Sequence, residues 1–576
     1  MDNAQIISDL HAQYIRRGNH AESDYFSAIK ALVEKRNLTN TEEEYHFWQQ
    51  EIEIVYSLIE EELITNENQP VSPIKFGTSG WRGMIGKDLY AKSVMQVTLA
   101  IVSLYEDLET NAEHAPLLGV SSLAEARERG CVLGFDNRFG GQLLASKVTD
   151  VLTAKGFVVH YAGESTTGCL SAAVLELRAA FSINLTPSHN PLEYAGFKYN
   201  AADAGPAAPA LTDRITTRAR SLVSNNESLS FTPDITLIKT INALGCWIDL
   251  VRRNKSRHGL DYDSIIDRFT DNNNLVVAID CVHGASRGDI SSLFKQSSSD
   301  RLLLFRADYD PTFGGVAPEP STKNLETVME GLALRSEPLK LGMIIDPDGD
   351  RIRFTDGTNE FSMNQFGAMA FHYLHTSKHK QGIIAKSVAT SNFANAIAAG
   401  LDEEVFEPAV GFKEFKPVVD KALVCFEESD GITVIGHTPE KDAYIGLLLA
   451  LDMVLTLGKS LSEYRHEIQE AFGYYYPDSD SVSVNLKGDA LLEILSGLKQ
   501  YQAGSTVTIG EEVKTIVEVI DIDGRKMILE DGSWIMIRPS GTEPKVRFYV
   551  ESRTDQGREM LFDAARNLLK EIGLSD

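Results

Sequence analysis

Two hydrophobic rhythms divide the chain. Over residues 1–72, apolar side chains return every three or four positions, at Ile6, Leu10 and Tyr14 and again at Ile54, Leu58 and Leu63 before Pro70. That spacing predicts two or three amphipathic helices, packed on the main body or offered to a partner. From Ile74 the pattern becomes short apolar runs alternating with helical stretches and glycine turns. Such alternation predicts α/β units with parallel or mixed sheets. Strands are expected at 131–135, 158–161, 179–185, 275–280, 341–345, 534–537 and 546–551, and helices at 141–155 and 171–177. Changes of character place units at 1–72, 73–240, 241–356, 357–472 and 473–576.

Several predicted strands run into polar loops that can carry chemistry. The run 179–185 ends in Thr186-Pro187-Ser188-His189-Asn190-Pro191. A serine on a stiff loop at a strand end is placed to act as a nucleophile, although an ordinary polar turn would look similar. Lys198 adds a cation nearby. Upstream, Gly77 to Gly83 combines three glycines with Ser79 and Arg82, which suits the approach of an anion. Asp136 and Arg138 end another strand, where such a pair commonly binds to itself.

The strand 341–345 ends in Asp346-Pro347-Asp348-Gly349-Asp350-Arg351. Three carboxylates at alternate positions around a glycine turn can converge on a hard divalent cation. A calcium-hand loop would need Glu at its twelfth position, which here is Gly357, and flanking helices in place of the strand. Glu427, Ser429 and Lys413, with Glu440, Lys441 and Asp442 further on, can hold sugar hydroxyls or form a solvated acidic turn. Near the C-terminus Arg538, Ser540, Gly541, Thr542, Lys545 and Arg547 gather cations and hydroxyls between two strands, a plausible cradle for phosphate.

Composition narrows the partners. The net charge of −27 repels nucleic acid and anionic lipid, so neither is expected. It also repels phosphate esters, so a site for one needs a local cluster of cations. No run approaches the roughly 18 apolar residues of a membrane span, and no basic-then-apolar leader opens the chain. A cytoplasmic location is expected. The five cysteines are scattered without CxxC spacing, which predicts free thiols.

A loop serine, a three-aspartate loop, a hydroxyl-binding turn and a cationic loop follow one another in that order. The chain thereby resembles the α-D-phosphohexomutases, the phosphoglucomutases and phosphomannomutases, over about residues 74–552. The resemblance implies three similar mixed-sheet α/β/α domains and a smaller α+β C-terminal domain around a central cleft. It implies that Ser188 carries a phosphoryl group, and that Asp346, Asp348, Asp350 and the serine phosphate hold Mg²⁺. Glu427, Ser429 and Lys413 then face the sugar, and Arg538, Ser540, Gly541, Thr542 and Arg547 the distal phosphate. Arg82, Lys198 and Arg351 are cations at the transferred phosphate, with His189 and Lys198 as alternative proton acceptors.

The implied reaction interconverts glucose 1-phosphate and glucose 6-phosphate through glucose 1,6-bisphosphate. Mannose, glucosamine and pentose phosphates are alternative substrates. A silent phosphosugar-binding protein is the non-enzymatic alternative. Many relatives carry a small residue where this chain has Asp430, and glycine where it has Ala443.

Overall fold

Residues buried on both faces make the inner strands of the first three sheets. In the computed structural model all six residues of Leu275–Asp280 and all five of Phe181–Leu185 are buried, as strands covered by helices on either side must be. The structure describes every residue except 1–2, 17, 78–79, 112, 227–228, 487, 541–544 and 575–576.

The first sheet orders its strands Trp81–Met84, Tyr194–Ala201, Phe181–Leu185, Cys131–Phe135, Val159–Glu164 and Ile238–Thr240. The second runs Glu360–Phe361, Ile352–Thr355, Leu339–Ile345, Leu275–Asp280 and Leu302–Phe305. The third runs Val405–Phe406, Ile383–Lys386, Ala422–Glu427 and Gly431–Val434. The fourth is antiparallel throughout, from Tyr476–Ser483 across Lys545–Ser552 and Trp534–Pro539 to Thr506–Ile509. Helix Asp555–Glu571 packs on it.

One device recurs in the first three sheets. A strand parallel to its inner neighbour ends in a polar loop, and the chain returns as an antiparallel strand. Asn184 thus pairs with Lys198, Ile345 with Ile352, and Glu427 with Gly431. The loops so held are 186–193, 346–351 and 428–430. The expected architecture of three similar α/β domains and a smaller α+β one is what the chain adopts.

Three α-helices, Asn3–Tyr14, Tyr25–Asn37 and Glu42–Thr65, form the N-terminal extension. Ile29, Leu32, Ile52, Val55 and Ile59 are each fully buried, in one core with the first sheet. Among the described residues no single helix is long and apolar enough to cross a membrane. The apolar helix Ala443–Leu457 is instead buried between the second and third sheets. The five cysteines are unpaired, four of them buried.

Some boundaries differ from expectation. The helix expected from 171 begins at Thr167, because Thr166 accepts the N–H of Cys169 and caps it earlier. The run expected as a strand from 179 pairs only from Phe181, since Ala179 still bonds back to Val174 at the helix end.

Candidate active site

Ser188 is 1% exposed and sits at φ 61, a left-handed conformation uncommon outside glycine. Local bonds hold it there. Its N–H donates to Thr186 Oγ1 at 2.9 Å, and Thr186 Oγ1 donates to Asp136 Oδ2 at 2.7 Å. Arg138 is buried and donates to the carbonyls of Ser188 at 2.8 Å, Pro191 at 2.6 Å and Tyr194 at 3.2 Å, and also to that of Asn190. Arg138 does pair with Asp136, at 3.3 Å. Its larger task is to clamp the serine loop, a role its Asp-x-Arg spacing alone did not disclose.

The serine hydroxyl donates to Asp346 Oδ2 at 2.8 Å. Asp346, Asp348 and Asp350 are all buried, each with a carboxylate oxygen within 4.8 Å of the others. Gly349, at φ 64, makes the turn between them, and a Cβ there would come within 2.6 Å of Thr166. Asp346 Oδ1 accepts the N–H groups of Asp350 and Arg351, both at 3.0 Å.

Two helices begin at this loop. The Thr167 N–H donates to the Asp348 carbonyl at 2.7 Å, and the Ala443 N–H to the Gly349 carbonyl at 3.0 Å. Thr167 Oγ1 also donates to Asp348 Oδ2 at 2.9 Å. The positive ends of both helices therefore favour negative charge here.

Cations surround the carboxylates. Lys198 Nζ lies 2.5 Å from Asp348 Oδ2 and 3.0 Å from Asp350 Oδ2, while Lys441 Nζ is 3.2 Å from the latter. Burial pushes Asp346 well above the usual carboxylate range, reinforced by Asp348 and Asp350. Burial acts in the same sense on Asp350, but Lys198, Lys441 and Arg351 outweigh it and hold that carboxyl well below the range. Burial alone would lower Lys198, yet Asp348 and Asp350 raise its pKa, so it is a cation. As an alternative proton acceptor, Lys198 is therefore disfavoured.

His189 Nδ1 stands 3.3 Å from Ser188 Oγ. Arg351, then burial, then Arg82 hold its pKa well below the usual imidazole value, so the ring is neutral. Arg82 Nη1 donates to Asn190 Oδ1 at 2.9 Å.

Glu440 is also buried, and burial raises its pKa. Together with Lys441 it belongs to the charged cluster, whereas the sequence offered both as holders of sugar hydroxyls or members of a solvated acidic turn. Asp442 is fully buried, caps the following helix through Tyr444 N–H at 2.8 Å, and binds His437 at 2.6 Å and Trp247 at 2.5 Å.

Glu427 Oε1 accepts the Gly411 N–H at 2.7 Å. Burial, with Glu428 adding to it, pushes the Glu427 carboxyl up to about 7. Ser429 is half-buried on the same loop, and Lys413 lies 3.9 Å from Glu414. Arg538 and Arg547 face each other across two strands of the fourth sheet, and the Ser540 N–H donates to the Lys545 carbonyl at 2.8 Å. Arg538 Nε pairs with Asp523 Oδ2 at 3.1 Å. Gly541 and Thr542, like Ser79, lie outside the described residues.

Sequence profiles described as phosphoglucomutase/phosphomannomutase, alpha/beta/alpha domains I, II and III, match residues 73–225, 260–359 and 362–472. The profile of the C-terminal domain matches 499–568. The chain belongs to the α-D-phosphohexomutase family.

This phosphohexomutase is 26% identical over 564 residues to the phosphoglucomutase of Staphylococcus haemolyticus, covering 88% of this chain and 96% of the relative. It is 26% identical over 512 residues to a Mycoplasma pneumoniae phosphomannomutase, covering 82% and 86%. Its fold matches the crystal structure of a phosphoglucomutase/phosphomannomutase family protein from Burkholderia thailandensis with TM-score 0.66 at 18% identity, covering 88% and 99%. Phosphohexomutases are isomerase-class phosphotransferases that typically depend on Mg²⁺. The aspartate loop suits that ion, because Asp348 Oδ1 and Asp350 Oδ1 are buried and accept no hydrogen bond. Two buried, unsatisfied carboxylate oxygens are costly unless a cation takes them.

Proposed function

We propose that the chain is a phosphoglucomutase that interconverts α-D-glucose 1-phosphate and glucose 6-phosphate through a phosphoserine at Ser188 and glucose 1,6-bisphosphate. Mannose phosphates are a second substrate. The observation that carries the reading is the Ser188 Oγ–Asp346 Oδ2 contact of 2.8 Å, which joins a strained, clamped serine to a triple-aspartate loop. Asp346, Asp348, Asp350 and the serine phosphate would hold Mg²⁺, which when bound neutralises charge on the transferred phosphoryl group.

Phosphoryl transfer asks a protein mainly for position and charge. Arg82, Lys198 and Arg351 supply fixed cations around Ser188; the aspartates offset the burial of Lys198 and Arg351, while burial still lowers the pKa of Arg82. In the forward half-reaction the Ser188 Oγ–phosphorus bond breaks as a sugar hydroxyl oxygen bonds to phosphorus. The hydroxyl proton passes by way of His189, the neutral ring beside Ser188, to Ser188 Oγ, which departs as the serine hydroxyl. Glu427 and Ser429, with Lys413, orient the sugar by its other hydroxyls. Arg538, Ser540, Gly541, Thr542 and Arg547 anchor the phosphate that does not react. After the bisphosphate reorients, Ser188 Oγ takes its other phosphoryl, and the serine proton returns by way of His189 to the product hydroxyl.

Asp430 supports enzyme over silent binder. It is 4% exposed and bound by Arg353, so it is not a free carboxylate set to repel substrate. A cytoplasmic setting accords with this reading. A coupled assay with Mg²⁺, trace glucose 1,6-bisphosphate and each of glucose, mannose, glucosamine and pentose 1-phosphates tests it. Glucose 1-phosphate should turn over fastest; no turnover with any of them would reject the enzyme.

A further inference from the structure

The N-terminal extension precedes all four matched segments, yet its contacts lead to the nucleophile loop. Arg36, on helix Tyr25–Asn37, is 3% exposed. Its Nη2 donates to Asp310 Oδ2 at 3.0 Å and to Thr312 Oγ1 at 3.2 Å, and its Nη1 to Gln49 Oε1 at 2.7 Å. Asn37 Nδ2 donates to the Gly314 carbonyl at 2.8 Å. Val33 fills the space beside Gly315, where a Cβ would come within 2.8 Å of its Cγ1. These contacts cross from the extension to the second α/β unit and fix the turn 310–315.

That turn holds Phe313 at φ 55, fully buried. A bulky side chain keeps such a conformation only where its surroundings over-determine it. Asp310 helps, since its Oδ1 accepts both the N–H and the hydroxyl of Thr312, at 2.8 and 2.6 Å. The Phe313 ring then lies 4.8 Å from the guanidinium carbon of Arg138. Arg138 is the residue that clamps the serine loop through four carbonyls. On the first unit, Tyr56 of the extension stacks on Phe139 at 4.3 Å, and Lys30 pairs with Glu193 at 2.8 Å. The extension therefore touches the residue after the clamp and the loop that the clamp holds.

We infer that the N-terminal extension is a positioning element for Ser188. Arg36 fixes the 310–315 turn, Phe313 seats the Arg138 guanidinium, and Arg138 holds the loop so that Ser188 stays left-handed. A cation on an aromatic face has a set height and tilt. If the turn moves, Arg138 cannot reach all four carbonyls at once. The path is contiguous and each link is a buried contact, so it predicts coupling between residues distant in sequence.

The test uses the full chain with Arg36→Met, Arg36→Lys and Phe313→Leu, each first shown to be folded by circular dichroism. Amide hydrogen exchange across residues 186–196 reads the loop directly and needs no substrate. Arg36→Met should speed exchange at Ser188 and Tyr194 by roughly tenfold, and Arg36→Lys should restore part of the protection. The kinetic arm rests on the mutase reading. There, kcat should fall by roughly 10–100-fold, because small misplacement of a reacting group is enough, while KM for the sugar phosphate changes less than about twofold.

Combining Arg36→Met with Phe313→Leu should cost little more than the worse single change, since both cut one path. If Arg36→Met does not fold, Asn37→Ser removes the Gly314 bond and the 3.3 Å bond from Arg36 Nε, leaves the Arg36–Asp310 pair, and should show a smaller rise in the same exchange. Unchanged exchange at Ser188 and Tyr194, or losses that simply add, overturns the inference. A chain with no mutase activity that still shows the exchange coupling would sink the functional reading alone.

Discussion

Arg353 grips Asp430 with two nitrogens, Nη2 at 2.7 Å and Nε at 3.1 Å from the same carboxylate oxygen. Asp430 closes the loop proposed to face the sugar, and it stands at φ 69. Aspartate tolerates that conformation better than most residues. Its carbonyl accepts the Ile352 N–H at 2.9 Å, so the residue ties the sugar loop to the strand after the aspartate loop. Asp430→Asn keeps the shape and removes the charge. Denaturant unfolding should show a loss of about 1–3 kcal/mol, the range for a buried charged hydrogen bond. An unchanged midpoint would mean that the ion pair does not hold the loop.

Asp348 offers a second test. It contacts Lys198 and Thr167, and its Oδ1 accepts no hydrogen bond. Asp348→Ala should abolish most Mg²⁺-dependent turnover, a loss of several kcal/mol in roughly the range supplied by a metal. Calorimetric titration should show Mg²⁺ affinity falling in parallel. Activity that survives both the substitution and a chelator would make the loop structural.

Glu427 predicts a pH dependence. Burial first, then Glu428, pushes its carboxyl up to about 7. A raised carboxyl pKa favours the folded state while protonated. That contribution is complete below the unfolded value of about 4.3 and is lost as pH rises through about 7. For binding the sense reverses, because only the ionised carboxylate accepts freely from sugar hydroxyls. KM for glucose 1-phosphate should therefore fall as pH rises through about 7. Glu427→Gln should raise KM and flatten that inflection, leaving only titration of the substrate phosphate. Identical pH profiles in the two proteins would remove Glu427 from the sugar site.

Residues at strand ends were legible in the chain, and residues joined by packing were not. Ser188, Asp346, Asp348 and Asp350 follow apolar runs directly, and their spacing carries their chemistry. Lys198 could be linked to them only loosely, through its nearness to Ser188 in sequence. Its contact with Asp348 depends on two separate sheets meeting. Arg138 read as half of a local pair because nothing in the sequence says that four carbonyls from 188–194 will surround it. Lys441 read as part of a stretch that either holds sugar hydroxyls or forms an acidic turn, and only the approach of helix Ala443–Leu457 to Gly349 brings it to Asp350. The helices of the extension were visible in their periodicity, but their contacts with 310–315 were not, since Arg36 and Asp310 are 274 positions apart.

Arg538 tests the distal anchor. A phosphate entering a protein of net charge −27 needs a fixed cation, and a guanidinium can grip two oxygens in one plane. Arg538 is paired with Asp523 at 3.1 Å, so phosphate must compete with or share that carboxylate. Arg538→Ala should raise KM for glucose 1-phosphate and lower kcat, by about 1.5–3 kcal/mol in kcat/KM. Arg538→Lys should recover part. Hydrolysis of the phosphoenzyme by water should change far less, because water has no distal phosphate to hold. Equal losses in both reactions would assign Arg538 to the fold.

The account stands or falls on Ser188. Protein should be incubated with glucose 1,6-bisphosphate and Mg²⁺, then analysed by intact mass and peptide mapping. A fraction should carry one added phosphoryl group on Ser188, and glucose 1-phosphate should discharge it. Ser188→Ala should carry none and turn over no substrate. A phosphoryl group on a different residue, with Ser188→Ala still active, would contradict the account at its centre.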